Sequence, residues 1–267
     1  GRLDLTIKNG QILKHEYTLL PINEKTKVLD SDGNSRECFT ADAVREDPDL
    51  LAFLTPYYER GAASMNRVLG QAADAFQVKP IQPKGDSALG RFATKAMMER
   101  SGADLALLNN GGLRKDLPAG PITYGDILEV MPFTNNICTV AMTGPQLKEY
   151  FETIFDQDLA IQLNGVKMTR SGSSIIAMEI GEKAVAINPS DAGSSKTYRL
   201  ALTDYNAKGG AGFEPIASDP SFIDTGYLVN QAMSEFVEKR SVISAANVAG
   251  SSTTFLDREA TLEPVAA

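Results

Sequence analysis

The chain opens with an alternation of apolar and polar residues that is typical of a strand. The alternation runs from Leu3 to Ile7, the Asn9-Gly10 pair follows, and a second alternating stretch extends from Ile12 to Leu19. Asn-Gly is a strong two-residue indication of a type I′ turn, because both residues tolerate a positive φ. The pattern predicts a β-hairpin too small to bury a core of its own, so we expect it to be the end of a domain whose body lies upstream.

A helix is predicted after the polar stretch that follows the hairpin. Asp47 is suited to the N-cap and Pro48 to the first helical position, where the missing N–H of proline costs no hydrogen bond. We expect this helix to run to about Leu69, with a bend at Pro56, and to act as a connector.

Helical and strand periodicities interleave over the rest of the chain. Apolar residues recur three and four positions apart in some segments, and short apolar runs lie between them. The predicted helices are 89–101, a short helix capped by Thr123, 147–154 and 229–237, and the predicted strands are 105–108, 137–142, 166–168, 175–180, 198–202 and 254–256. This order predicts an α+β fold built on a mixed sheet.

Composition and charge narrow the classes of function. The chain has 267 residues, of which 43% are hydrophobic and 22% are charged, and this balance is typical of a folded globular protein. The formal net charge of −8 disfavours binding to long nucleic acid, but it does not disfavour binding to a small phosphorylated ligand held by a few cationic side chains.

No apolar run reaches the roughly 18 residues that a membrane helix needs. Cys38 and Cys138 match no disulfide framework or zinc pattern, so we expect two separate, buried thiols.

The chain contains a single histidine. Hydrolytic metal centres usually combine several histidine and carboxylate ligands, and a serine or cysteine nucleophile needs a histidine beside it. His15 lies in the predicted hairpin, where we expect a surface strand position. The sequence therefore indicates no catalytic residue set and no metal site for a self-sufficient hydrolase by the common routes.

Residues 109–135 contain the densest group of candidate ligand-binding residues. Gly111 and Gly112 follow a predicted strand and would let the backbone approach a ligand closely, while Arg114 could direct a fork of donors at a phosphate. Phe133 offers a flat ring and Asn135 an amide. The alternative interpretation is structural: a tight turn, a surface arginine and a core phenylalanine.

A second segment, residues 204–213, has the sequence DYNAKGGAGF and follows a predicted strand. Tyr205 could face Phe133 across a cleft, and aromatic rings can hold a base by stacking, which contributes about 1–3 kcal/mol per base. The glycines alone do not indicate a phosphate loop, because no Lys-Ser/Thr pair follows them. On its own the segment would be a loop with a buried tyrosine.

Together the two segments resemble the C-terminal domain of the 5'-nucleotidase family. NNGGLR, TYGD and PFTN are similar to the family's NGGGIR, TYGD and PFGN, and DYNAKGGAGF is similar to its N-F/Y-N-A-x-GGDG-Y/F block. The opening strands and the connector also look like this family, so the resemblance covers nearly the whole chain. It implies a phosphoesterase tail at 1–46, a linker helix at 47–70 and a substrate-binding domain at 71–267, folded as a layered α/β/β/α arrangement.

The resemblance implies which residues contact a nucleotide. They are the stacking rings of Phe133 and Tyr205, the base-contacting amide of Asn135, the phosphate-contacting guanidinium of Arg114, and the backbone of Gly111, Gly112 and Gly210. Two departures affect this set. Ala211 replaces the aspartate that holds the ribose hydroxyls in the family, and two further family arginines have no certain counterpart, although Lys84 is a candidate phosphate contact. Both departures are expected to weaken ribose and phosphate recognition.

The resemblance further implies the recognition part of a 5'-nucleotidase or UDP-sugar hydrolase, periplasmic or secreted, acting on a nucleotide or a related small phosphorylated substrate. Its partner would be the enzyme's own N-terminal phosphoesterase domain, which carries divalent metal ions such as zinc or manganese and the catalytic residues. Two alternatives remain open. One is the same family with a cyclic nucleotide or a non-nucleotide ester as substrate, and the other is a degenerate module that binds a protein partner.

Overall fold

The structure, a computed structural model, describes residues 1–22, 24–29, 35–41, 43–44, 46–78, 87–249 and 256–257. The chain divides into two compact units, Gly1–Ala63 and Ser64–Ala267. The first unit holds two antiparallel hairpins. They are formed by β1 (Arg2–Lys8) with β2 (Gln11–Thr18), and by β3 (Lys25–Leu29) with β4 (Ser35–Phe39).

The first hairpin is confirmed. Asn9 and Gly10 have φ values of 53° and 76°, as a type I′ turn requires. His15 lies opposite Leu5 in the strand ladder and is exposed, so it is the surface strand residue that we expect from the sequence.

Helix α1 (Pro48–Met65) begins where the sequence predicts. The Oδ1 atom of Asp47 accepts two backbone N–H bonds of the first turn, at 2.9 and 3.0 Å. The expected extension to Leu69 is wrong, because β5 (Val68–Ala72) is a strand with a hydrogen-bonded neighbour on each side. These non-local bonds outweigh a local helical preference.

The second unit contains the remaining elements. Its described strands are β5, β6 (Leu105–Asn109), β7 (Gly120–Thr123), β8 (Asn136–Thr143), β9 (Ile161–Asn164), β10 (Val166–Ser171), β11 (Ser174–Ile180), β12 (Lys183–Ala184), β13 (Thr197–Thr203), β14 (Ile223–Leu228), β15 (Val242–Ile243) and β16 (Leu256–Asp257). Its described helices are α2 (Ala88–Ser101), α3 (Tyr124–Val130), α4 (Gly144–Asp156), α5 (Asp204–Ala207), α6 (Val229–Arg240) and α7 (Ala245–Val248). The predicted strand 254–256 overlaps β16 at one residue, and its first two residues lie outside the described ones.

A five-stranded sheet in the order β14-β8-β13-β6-β9 forms the centre of the second unit. β13 and β6 run parallel, whereas the other neighbours are antiparallel, so the sheet is mixed. The second unit also contains a three-stranded sheet in the order β15-β5-β7 and a four-stranded sheet in the order β12-β11-β10-β16. The predicted α+β class with mixed sheets is confirmed.

The hydrophobic core lies on both faces of the central sheet. Along β6, Ala106 and Leu108 pack into a cluster with α2 and α6, and Leu105 and Leu107 pack into a second cluster with α4, β10 and β11. Successive side chains of a strand point to opposite faces of the sheet, so β6 contributes side chains to both clusters. The site described below is built on the end of this buried strand.

The helix ends predicted from the sequence are also confirmed. Gly102 has a φ of 66° and terminates α2 in the left-handed conformation that favours glycine. Thr123 and Asp126 form a reciprocal capping box at the start of α3.

The two cysteines are free thiols, as the sequence predicts. Cys138 is buried, but Cys38 is only half-buried, so the expectation of burial holds fully for one of them. Burial, followed by the nearby carboxylates of Asp224 and Asp204, raises the pKa of the Cys138 thiol to about 12. This thiol is therefore uncharged and a poor nucleophile at neutral pH.

Candidate functional site

The first wall of the candidate site is the turn that follows β6. The strand ends at Asn109, and residues 110–112 form a single 3₁₀ turn closed by a 3.1 Å bond from the Leu113 N–H to the Asn110 carbonyl. A Cβ atom at Gly112 would lie 3.2 Å from Leu108 Cδ1, tighter than an ordinary van der Waals contact. The glycine pair therefore lets the turn pack closely on the core while its outer side stays accessible.

Arg114 leaves this turn with its backbone fixed and its side chain exposed. Its N–H donates to the carbonyl of Val130 at 2.9 Å, and its Nη1 donates to the carbonyl of Gly111 at 3.3 Å. The guanidinium carbon lies 6.0 Å from the centroid of the Phe133 ring. The cation is thus next to the ring and leaves most of its donors for a ligand.

The segment after α3 carries the first aromatic ring. Buried Asn230 donates from its Nδ2 atom to the carbonyls of Met131 (3.2 Å) and Phe133 (3.3 Å), and the Val229 N–H donates to the carbonyl of Asn135 (3.1 Å). These bonds hold the segment against the start of α6. Phe133 itself is 40% exposed, so the alternative of a core phenylalanine is excluded.

Tyr205 provides the second ring, and it is 47% exposed, so it is not the buried tyrosine of the alternative interpretation. Its hydroxyl oxygen accepts the N–H of Ala211 at 3.1 Å. A Cβ atom at Gly210 would lie 2.5, 2.5 and 2.6 Å from three adjacent atoms of this ring. Near-equal distances to adjacent ring atoms place that position over the face of the ring. Gly210 therefore lies over one face of Tyr205, and a side chain at this position would clash with the ring.

Ala211 lies in a strained part of the same loop. Its φ of 59° and ψ of 21° are left-handed, between Gly209 (φ 94°) and Gly212 (φ 84°). Asparagine and aspartate tolerate this conformation better than alanine does. The alanine is exposed and offers no hydrogen-bonding side chain.

These elements enclose one cavity of about 340 Å³. Its lining residues are Asn109, Gly111, Gly112, Arg114, Phe133, Asn135 and Tyr205. Six of them are expected from the sequence, and the structure brings all six together. Gly210, which was also expected, packs against the Tyr205 ring and is not among these lining residues, and Lys84 lies outside the described residues. Asn109 was missed, although its position at the last residue of a strand before the glycine pair could have indicated it.

The described lining contains a cation and amides but no carboxylate. Asp204, which precedes Tyr205 in the chain, accepts the Asn136 N–H and pairs with Lys208 at 3.1 Å. Asp224 accepts a hydrogen bond from Nδ2 of Asn136. The hydrogen bond and charge of Asp204 raise the pKa of Lys208. The cavity thus suits an aromatic ligand with a polar edge and an anionic group.

A group of metal ligands or a membrane-spanning helix would also bear on function. Within the described ranges, no group of three or more histidine, cysteine, aspartate or glutamate side chains is placed as a set of metal ligands. Among the helices that the structure describes, none has the length and apolar character of a membrane span.

Comparison with known proteins connects this cavity to a family. A family model described as 5'-nucleotidase, C-terminal domain, matches residues 68–218. Protein UshA of Yersinia enterocolitica is 32% identical over 247 residues, which cover 92% of this chain and 44% of the relative. A 5'-nucleotidase of Vibrio vulnificus is 32% identical over 248 residues, covering 91% and 43%. The chain therefore spans less than half the length of these curated relatives.

Comparison with solved structures finds the same fold in a 5'-nucleotidase. The crystal structure of a 5'-nucleotidase precursor from Thermus thermophilus matches with a TM-score of 0.64 and 22% identity, covering 95% of this chain and 49% of that one. At this identity the likeness shows a shared fold.

Proposed function

Because this chain belongs to the family of the 5'-nucleotidase C-terminal domain, we propose that it is the nucleotide-recognition part of a phosphohydrolase. The observation that carries the proposal is the cavity in which Phe133 and Tyr205 are both exposed beside Arg114. Aromatic faces bind a base by stacking, and an arginine fork binds a phosphate. Asn135 would contact the polar edge of the base.

The hydrolytic chemistry is proposed to lie in an upstream phosphoesterase domain with divalent metal ions such as zinc or manganese. One histidine in the whole chain is too few for the usual combination of ligands in such a centre. In this proposal residues 1–46 are the end of that domain, helix α1 is the part of the predicted linker 47–70 that connects the domains, and the unit that begins at Ser64 binds the substrate. The full enzyme would be periplasmic or secreted, where it would degrade nucleotides.

Calorimetric titration of the chain tests the recognition role. We expect AMP and UMP to bind, adenosine to bind more weakly because it lacks the anionic group, and ribose 5-phosphate to bind much more weakly because it has no base to stack. Equal binding of ribose 5-phosphate and AMP would exclude base recognition. If neither AMP, UMP nor adenosine binds, the proposed function is wrong.

This chain alone is expected to release no phosphate from AMP, ADP or UDP-glucose when Mn²⁺, Zn²⁺ or Co²⁺ is added. The reason is that one exposed histidine cannot assemble a two-metal centre. Phosphate release is measured before and after addition of EDTA. Turnover that copurifies with the chain and disappears with EDTA would show that the chain carries its own metal centre.

A second candidate function is favoured by Ala211. A site without an acceptor for the ribose hydroxyls suits a substrate of the same family in which those hydroxyls are modified, such as a cyclic nucleotide, or a non-nucleotide ester. Titration with 2′,3′-cyclic AMP separates the two candidates. Tighter binding of the cyclic nucleotide than of AMP would favour the second, and the reverse order would favour the first.

A further inference from the structure

A buried glutamine connects the glycine turn of the cavity to the start of α2. Gln162, in β9, is 1% exposed. Its Oε1 atom accepts the Ser87 N–H at 2.6 Å and the Ser87 hydroxyl at 3.1 Å, while its Nε2 atom donates to Oδ1 of Asn110. One side-chain amide thus bonds to two segments that are more than twenty residues apart in sequence.

Helix α2 packs closely against this amide. A Cβ atom at Gly90 would lie 1.7 Å from Gln162 Oε1, so α2 can approach this closely only with a glycine there. Ser87 in turn accepts the Gly90 N–H at 2.9 Å and caps the helix. A buried amide with its partners in place costs little, but an unpaired one is expensive, so this network specifies one position for each segment.

The turn that Gln162 reaches is the one that lines the cavity. Asn110 stands between Asn109 and Gly111, which both line it, and its own N–H donates to the Ala160 carbonyl at 3.1 Å. The turn is thereby held from the core side by β9 and its preceding loop. Arg114 follows on the same segment, and its Nη1 bonds to the Gly111 carbonyl. Because this bond joins the guanidinium to the turn, we expect a shift of the turn to move the guanidinium.

From this geometry we propose that Gln162 is a positioning residue for the site. It does not touch the ligand, but it fixes the turn of residues 109–112, and with it Arg114, relative to the N-terminus of α2. The part of this inference that concerns ligand affinity rests on the proposed function. Since Arg114 follows this turn and is assigned to the anionic group of the ligand, loss of the network reduces the affinity for a nucleotide more than that for the matching nucleoside.

Four variants test the network. In Gln162→Glu the carboxylate can still accept the hydrogen bonds from the Ser87 N–H and hydroxyl, and its negative charge is favoured by the nearby N-terminus of α2. The side-chain amide of Asn110 can rotate so that its Nδ2 atom donates to the carboxylate. In Asn110→Asp the acceptor for Gln162 Nε2 is kept. We expect each single variant to stay within about twofold of wild-type AMP affinity, so that additive effects would give a loss of at most about fourfold. The double variant places two carboxylates together, and we expect its AMP affinity to fall by roughly tenfold or more. Gln162→Leu, which removes the amide, shows the same loss for AMP and a smaller one for adenosine.

Asn164→Leu is the matched control. Asn164 is a buried amide of the same strand, but it donates to the carbonyls of Arg91 and Val248 and not to the turn. Loss of this amide is expected to lower the melting temperature without changing the ratio of AMP to adenosine affinity. If the control and Gln162→Leu alter that ratio equally, or if the double variant is additive, the positioning role is wrong.

Amide hydrogen exchange without any ligand separates this inference from the proposed function. In Gln162→Leu we expect residues 110–112 and 87–90 to exchange faster together, whereas Asn164→Leu leaves 110–112 unchanged. Unchanged exchange at 110–112 in Gln162→Leu would overturn the inference even if nucleotides bind. If wild type binds no nucleotide but the exchange is coupled, the positioning role stands and the proposed function fails.

Discussion

Replacing Phe133 or Tyr205 by alanine is expected to weaken the binding of AMP by roughly 5- to 150-fold, because each ring contributes about 1–3 kcal/mol of base stacking. Both rings are exposed in the free chain, so their removal leaves no large hole in the core. The melting temperature should therefore change little. Calorimetric titration of the two variants, with thermal unfolding measured on the same samples, gives the result.

Tyr227→Ala is the control for this pair of variants. Tyr227 is 39% exposed, close to the value for Phe133, and it is not among the residues that line the cavity. The guanidinium carbon of Arg100 lies 3.7 Å from the centroid of its ring. We expect wild-type affinity in this variant. Tyr205→Phe keeps the stacking ring and removes only the oxygen that accepts the Ala211 N–H, so most of the affinity should remain. Unchanged affinity in both alanine variants of the cavity would show that stacking does not hold the ligand.

Replacing Ala211 by aspartate is expected to strengthen the binding of adenosine or uridine by about 1–3 kcal/mol, or roughly 5- to 150-fold. Two physical reasons support this direction. A carboxylate can accept the 2′- and 3′-hydroxyl hydrogen bonds that alanine cannot, and aspartate tolerates the φ of 59° better than alanine does. The backbone N–H of residue 211 bonds to the Tyr205 hydroxyl, so the new side chain starts beside the stacking ring.

The dideoxy analogue of the nucleoside isolates the carboxylate effect. Calorimetry on wild type and Ala211→Asp, each with a nucleoside and with its 2′,3′-dideoxy form, compares four affinities. We expect a large gain only for Ala211→Asp with the full nucleoside. Equal affinities across the four combinations would mean that this loop does not contact the ribose, and the pocket would then favour a different substrate.

Local signals in the sequence predicted the elements whose ends are set by local chemistry. The Asn9-Gly10 turn, the Asp47 cap and the Thr123 capping box depend on residues at most three positions apart, so each is visible in the sequence. The end of α1 was missed because β5 is stabilised by hydrogen bonds to β7 and β15, which are distant in sequence. Patterns of a few residues contain no information about such partners.

The same distinction applies to the candidate site. Spacing and family resemblance predicted Phe133 and Tyr205, and the fold brings them to one cavity although they are far apart in the chain. The covering of one Tyr205 face by Gly210 depends on the three-dimensional course of the loop. Gln162 was not predicted, because a lone polar residue in an apolar strand indicates nothing until its partners at Ser87 and Asn110 are seen.

A crystal structure of the chain with bound AMP would test the central claim most directly. The account predicts the adenine between the rings of Phe133 and Tyr205, with its atoms about 3.5–4 Å from each ring, Asn135 at the edge of the base and the phosphate towards Arg114. An ordered AMP bound elsewhere on the chain, with no base between the two rings, would contradict it.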